Sequence, residues 1–330
     1  MKIVICDYKE PLSRDLDREV QHIKKGLGED TEVIIYEYKG DRDELKELLK
    51  DADGVLTSYL EFDADLISCM KKCRGISIEA TGYNFVDADA CENQNMGVAV
   101  IAEYCTQEVA DHCMTLLLAI SRKLKFYNND IERKKSYDYN ATCGMIRLEG
   151  STLGIMGFGK IGKALAKRAQ GFGLNVIAYS PSCTEEIAKE YGVTLATPDE
   201  IYAQSHLIAL TMRLTPENEN IINADAFAKM KNKPAIANIA RGALIDESAL
   251  VKALDDGTVF GAGLDVLREE TAEYACASPL AYRDDVIMTP HSAFYSDFAL
   301  EECQRIASEN LVYMVKGELD KVFRMVNNIK

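Results

Sequence analysis

Three short segments carry the side chains best suited to chemistry in this 330-residue sequence. Asn238-Ile239-Ala240-Arg241-Gly242 supplies an arginine. Gly263-Leu264-Asp265-Val266-Leu267-Arg268-Glu269-Glu270 supplies an aspartate and a glutamate, and Thr289-Pro290-His291-Ser292-Ala293-Phe294-Tyr295-Ser296 a histidine. Each follows an apolar, strand-like run, and open α/β sheets place their ligands at such strand ends. A guanidinium there can hold a carboxylate in a forked grip and polarise the neighbouring carbonyl. A histidine can give a proton to a developing alkoxide. A glutamate beside it fixes the tautomer and favours the imidazolium. Arg241, Glu270 and His291 together therefore suit reduction of a 2-oxo acid. Singly, Glu270 belongs to an acidic run and His291 reads as a structural histidine; their joint occurrence carries the reading.

A second motif points to the other reactant. Gly157-Phe158-Gly159-Lys160-Ile161-Gly162 follows a strand-like run and opens a helical one. In that context G-x-G-x-x-G binds a dinucleotide. The first glycine permits the tight turn, the second lets backbone approach a pyrophosphate, and the third lets helix pack on strand. Free N–H groups and the helix dipole attract the anion locally. An acid near the end of the next strand would bond the ribose 2′-OH, but Ser180 stands there. Ser180, Ser182 and Thr184 can instead donate to a 2′-phosphate, with Arg213 supplying charge. The cofactor is accordingly NAD or NADP, with NADP favoured.

Alternating strand-like and helical segments must position these residues. Strands are expected at Lys2–Cys6, Glu32–Tyr36, Gly54–Thr57, Gly75–Ile78 and Val98–Ile101, with helices at Leu12–Leu27, Asp41–Lys50 and Ala64–Lys72. A long helix with Thr106 as N-cap is expected over Thr106–Lys125, carrying Val109, Cys113, Leu116, Leu117, Ile120 and Leu124 on one stripe. Residues 127–149 read as polar and weakly periodic. A second alternating unit follows, with strands at Thr152–Met156, Asn175–Tyr179, Leu207–Leu210, Ala235–Asn238, Gly261–Asp265 and Val286–Met288. Helices are expected at Ile161–Phe172, Ser248–Asp255 and Ser296–Lys316. Such alternation predicts parallel sheets covered by helices.

Composition sets outer bounds. The formal charge is −15, from 38 Lys and Arg against 53 Asp and Glu, which opposes nucleic-acid binding. No apolar run reaches membrane-spanning length, and the short N-terminal one is too brief for a secretory signal. Ten cysteines are scattered without a zinc-like pairing, so reduced thiols and no metal are expected. These features predict a cytoplasmic protein.

The three catalytic segments and the glycine turn resemble the D-isomer-specific 2-hydroxyacid dehydrogenase family. So do Gly82-Tyr83-Asn84 with Val86-Asp87, and Glu108-Val109-Ala110-Asp111-His112. The stretch Tyr104–His112 and Phe294-Tyr295-Ser296 look most like the branch of C-terminal binding proteins and their bacterial enzyme relatives. The resemblance implies two Rossmann-like, doubly wound parallel-sheet α/β domains. A dinucleotide-binding domain, 101–296, would be inserted in a discontinuous flavodoxin-like substrate domain, 1–100 plus 297–330, with the two long helices as hinges. It implies a homodimer built by the cofactor domain and the arm at 127–149. Arg241 would bind the substrate carboxylate and carbonyl, His291 act as acid and base, and Glu270 partner it. Backbone N–H groups of Thr81 and Gly82 would help hold the carboxylate, and Tyr104 and Phe294 would line the side-chain pocket. Gly157 to Gly162, Ser180, Met212, Arg213, Ala240 and Asp265 would form the cofactor site, with Asp265 toward the nicotinamide carboxamide. The formate-oxidising branch carries Gln at the position of Glu270, which disfavours formate. The chain departs from the family at Ser180, at Arg213 for a usual Pro, at Asn84 for a usual Asp, and at Glu79 where some relatives carry Arg. His112 reads as structural. The implied activity is reversible reduction of a 2-oxo acid to an (R)-2-hydroxy acid. The alternative is a nicotinamide-sensing dimeric binding protein of corepressor type.

Overall fold

The computed structural model describes residues 1–101 and 103–329. The chain divides into two compact units, Met1–Tyr104 with Ser296–Lys330, and Cys105–Tyr295.

The first unit holds a five-stranded parallel sheet of β1 (Lys2–Asp7), β2 (Glu32–Glu37), β3 (Gly54–Thr57), β4 (Gly75–Ile78) and β5 (Gly97–Val100), in the order β2-β1-β3-β4-β5. That is the flavodoxin-like order. Ile3, Val4 and Ile5 are all fully buried, because helices cover both faces of the sheet and leave no polar side for alternation. The helix Asp297–Lys316 packs on this sheet and on the helix Asp17–Leu27. Its close approach depends on small residues. A Cβ on Gly75 would lie 2.6 Å from Met314 Sδ, and one on Gly26 2.6 Å from Val312 Cγ1. Ser296 caps this helix by accepting from the Ala299 N–H at 3.0 Å.

The second unit holds a seven-stranded parallel sheet. Its strands are β6 (Thr152–Met156), β7 (Asn175–Tyr179), β8 (Thr194–Leu195), β9 (Leu207–Leu210), β10 (Ala235–Asn238), β11 (Gly261–Leu264) and β12 (Val286–Met288). The order β12-β11-β10-β9-β6-β7-β8 reverses direction between β6 and β9, the switch point at which doubly wound sheets bind ligands. The helix Thr106–Ser121 lies over β10 and β11, where Gly261 and Gly263 leave room for Ile120 and Leu116.

Three sequence expectations are corrected. The expected helix Leu12–Leu27 begins only at Asp17; Pro11–Ser13 forms a single 3₁₀ turn and Arg14 is extended. The Arg14 side chain is drawn instead to Glu19, Glu79 and the Pro11 carbonyl. The long helix has Cys105, not Thr106, as its N-cap and stops at Ser121 rather than Lys125. Lys123 there turns left-handed (φ +52°), and its ammonium bonds Thr142 Oγ1 and the Cys143 carbonyl, both at 2.7 Å. A separate helix, Leu124–Lys134, then occupies much of the stretch read as weakly periodic.

Candidate active site

The glycine turn is built as a cradle. Gly157 leaves β6 at φ +107°, and a Cβ there would lie 2.6 Å from the Met212 nitrogen at the end of β9. Gly162 packs so closely that a Cβ would meet the Gly157 carbonyl oxygen at 2.3 Å. That carbonyl also accepts from Thr211 Oγ1 at 2.5 Å. Gly159 differs, since nothing lies within 4 Å of its Cβ position. It is the N-cap of the helix Lys160–Gly171 and offers no side-chain cap to the first N–H groups. Open space over uncapped donors suits a pyrophosphate, so the residues present fit a dinucleotide.

The other expected cofactor residues divide by burial. Phe158 is buried edge-on against Tyr191, ring centroids 5.9 Å apart, so only its backbone faces the turn. Ile161 packs on the core, while Lys160 is exposed. Ser180 follows β7 directly, with its hydroxyl 3.4 Å from that of Ser182. Thr184 is engaged as a helix cap, accepting from the Ile187 N–H. Met212 is half-buried and Arg213 exposed beyond β9, its carbonyl accepting from Asn218 Nδ2 at 2.8 Å.

Arg241, Glu270 and His291 leave the C-terminal ends of the adjacent strands β10, β11 and β12. Arg241 is exposed, and its Nη1 donates to the Ala240 carbonyl at 2.6 Å. The turn beneath it is braced by buried Asn238. Asn238 Nδ2 donates to the Arg241 carbonyl at 2.9 Å, and Oδ1 accepts from the Ala240 N–H at 3.1 Å. Gly242 is pressed against the Leu267 carbonyl group, which a Cβ would meet at 2.0 Å. The arginine turn is thereby held against the base of the loop that carries Glu270.

His291 Nδ1 lies 2.7 Å from Glu270 Oε2, both side chains being somewhat under half exposed. Glu270 thus holds one imidazole nitrogen and leaves Nε2 for a reactant. His291 itself has φ +50°, a left-handed conformation uncommon for a non-glycine residue. Asp265, expected toward the nicotinamide, has its carboxylate fully buried and committed to this turn. It accepts from Thr289 Oγ1 at 2.6 Å, Ser292 N–H at 2.9 Å and Ala293 N–H at 3.0 Å. Phe294 stands edge-on to the His291 ring, centroids 6.4 Å apart.

Sequence reasoning missed Asn238 and Thr289, and gave His112 no role near the site. His112 Nε2 lies 3.0 Å from Thr289 Oγ1. The signal available was position, since Asn238 and Thr289 are the last or next residue of strands already known to end at the site. Thr81 and Gly82 lie exposed after β4, and Tyr104 packs on the core of the first unit.

The D-isomer specific 2-hydroxyacid dehydrogenase NAD binding domain matches residues 114–293. A glyoxylate reductase of Pyrococcus furiosus is 32% identical over 89% of this chain and 89% of its own. A hydroxypyruvate reductase of Blautia hydrogenotrophica is 33% identical over 96% of this chain and 98% of its own. Among solved structures, D-lactate dehydrogenase of Aquifex aeolicus, complexed with NAD and lactic acid, is 26% identical. It matches with a TM-score of 0.80 over 99% of this chain and 100% of that one. The chain therefore belongs to the D-isomer-specific 2-hydroxyacid dehydrogenase family.

Proposed function

We propose that this protein reduces a 2-oxo acid reversibly to an (R)-2-hydroxy acid. The observation that carries the reading is the His291–Glu270 pair beside Arg241 at the ends of three adjacent strands. The second unit serves as the dinucleotide domain, its glycine turn and Ser180, Met212, Arg213 and Ala240 lining the cofactor. The first unit serves as the substrate domain. A bound nicotinamide cofactor supplies the hydride. Arg241 grips the carboxylate and draws electron density from the carbonyl oxygen. His291 gives the Nε2 proton to that oxygen as hydride reaches the carbon, so C=O becomes CH–OH. Glu270, bonded to Nδ1, steadies the imidazolium and returns the ring to one tautomer.

Three finer readings accompany this. Ser180 and Ser182, in place of an acid, support NADPH over NADH. Ten cysteines present as thiols, several of them buried, support a reducing cytoplasmic setting; burial pushes the Cys113 thiol up to about 12, with the Asp265 charge adding to it. A homodimer is supported by apolar side chains left exposed on the helix Leu124–Lys134, next to a cavity of about 370 Å3 lined by Ile120, Phe126, Leu254, Phe260 and Ile287.

The test is a matrix of 2-oxo acids against NADH and NADPH, read as kcat/KM. Turnover with (R)-product is expected. Absence of turnover on every acid, with a dimer tightened by the cofactor, would instead favour a nicotinamide-sensing binding protein.

A further inference from the structure

The turn that carries His291 is over-determined, and the bonds that fix it lead away from the reacting groups. Five contacts converge. The His291 N–H donates to the Asp265 carbonyl at 2.7 Å, and the Thr289 N–H donates to the Leu264 carbonyl at 3.0 Å. The Asp265 carboxylate then takes the Ser292 N–H, the Ala293 N–H and the Thr289 hydroxyl. A left-handed backbone on a histidine is strained and persists only where the surroundings enforce it. Here three of the five bonds go to one carboxylate, which spans 289 to 293.

Proton counting extends the chain by one residue. A threonine hydroxyl has a single proton, and a carboxylate only accepts. Thr289 Oγ1 gives its proton to Asp265 Oδ1, so its 3.0 Å contact with His112 must run the other way. His112 therefore carries its proton on Nε2 and donates to Thr289. The bonds then point in one direction, from His112 to Thr289 to Asp265, and donors in such a series strengthen one another. His112 Nε2 also lies 3.5 Å from Asp265 Oδ1, with the same polarity. The imidazole sits on the helix Thr106–Ser121, which is anchored over β10 and β11. A rigid element thus supplies the reference point for a strained turn.

We propose that His112 and Thr289 are positioning residues for His291, fixing the Asp265 carboxylate and through it the left-handed turn that aims the imidazole. Neither touches the reacting atoms. The kinetic part of the test rests on the reductase reading; the exchange part does not.

Thr289→Val keeps the shape and removes the hydroxyl, and His112→Leu removes the donor. Thr289→Val should lower kcat by about 10- to 100-fold and His112→Leu by about tenfold, the scale of a small misplacement of a reacting group. Cofactor affinity should not change, because the glycine turn is built separately. Thr289→Ser and His112→Gln, which restore a donor at the same place, should recover most of the loss. The double variant should be no worse than Thr289→Val alone, since both cut one chain. Hydrogen exchange at the Ser292 and Ala293 amides should quicken in Thr289→Val and His112→Leu whatever the activity. Full kcat in Thr289→Val, strictly additive losses, or Ser and Gln variants no better than Val and Leu would overturn the proposal. Unchanged exchange at both amides would overturn it too. If Thr289→Val does not fold, the His112 pair and its exchange data decide. A wild-type protein that turns over no 2-oxo acid defeats the reductase reading, and the exchange data still judge the turn.

Discussion

In the proposed reaction His291 works as an acid only while its other nitrogen is held. Glu270 does this at 2.7 Å from a surface position, where charge is screened and geometry matters more than raw attraction. Glu270→Gln leaves a partner of the same size without the charge that steadies an imidazolium. Reduction by this variant should fall about 10- to 100-fold, and more steeply at alkaline than at acid pH, in kcat/KM profiles. An unaltered profile would remove Glu270 from the mechanism. His291→Ala should lose nearly all turnover and keep cofactor binding, as fluorescence titration would show. Ser180 sets a separate question. A carboxylate at this strand end repels a 2′-phosphate and bonds a 2′-hydroxyl. Ser180→Asp should therefore lower the NADPH-to-NADH ratio of kcat/KM by about tenfold or more, the scale of a like-charge clash. A ratio that stays put would mean the loop does not read the phosphate.

At the scale of elements, the first unit carries a buried ionisable cluster with a measurable consequence. Arg14 pairs with Glu19 at 2.8 Å and with Glu79 at 2.5 Å, all three side chains largely buried. Burial pushes the Glu79 carboxyl up to about 8, against the pull of Arg14 and with a further push from Glu19. Glu19 is raised as well, chiefly by burial. A raised acid holds a proton in the fold that the unfolded chain has already released. Stability is then fully present below the ordinary value of 4.5 and falls as pH climbs toward about 8. The melting temperature should decline across that window, and Glu79→Gln, neutral throughout, should flatten the decline. A wild-type profile as flat as that of the variant would contradict the assignment. This cluster also marks where sequence reading stopped. Apolar runs such as Lys2–Cys6 and the turn after β6 were legible because burial on both sheet faces and the glycine spacing are local signals. Arg14, extended before a helix that starts only at Asp17, was not, because its place depends on Glu79, far along the chain, as well as on nearby Glu19. The same holds for the Asp265 network. Arg241, Glu270 and His291 announce themselves by type, whereas Thr289 and His112 acquire meaning only when a strand end and a helix meet in space.

At the scale of the whole molecule, the charge of −15 leaves anion binding to local donors and leaves the exposed apolar surface to explain. Leu124 and Ile131 lie seven residues apart on one helix and are 56% and 48% exposed. That spacing puts both on one face, and an amphipathic helix normally turns such a face inward. Beyond it, Tyr137 and Tyr139 are 96% and 83% exposed. Isolated apolar residues on a surface need no account, but several on one stretch, beside a cavity lined by Ile120, Phe126, Phe260, Lys123 and Asp284, support the proposed interface. A second copy is the occupant that the family resemblance leads one to expect, and self-association covers the same row on both chains at once. Leu124→Asp with Ile131→Asp places two charges on that face and should cost little in the isolated chain, because neither residue is in its core. Light scattering should then report about half the wild-type mass, with secondary structure and melting of the chain retained. A wild-type protein that is already monomeric, or a double variant that keeps its dimer, would assign the row to something other than a second copy.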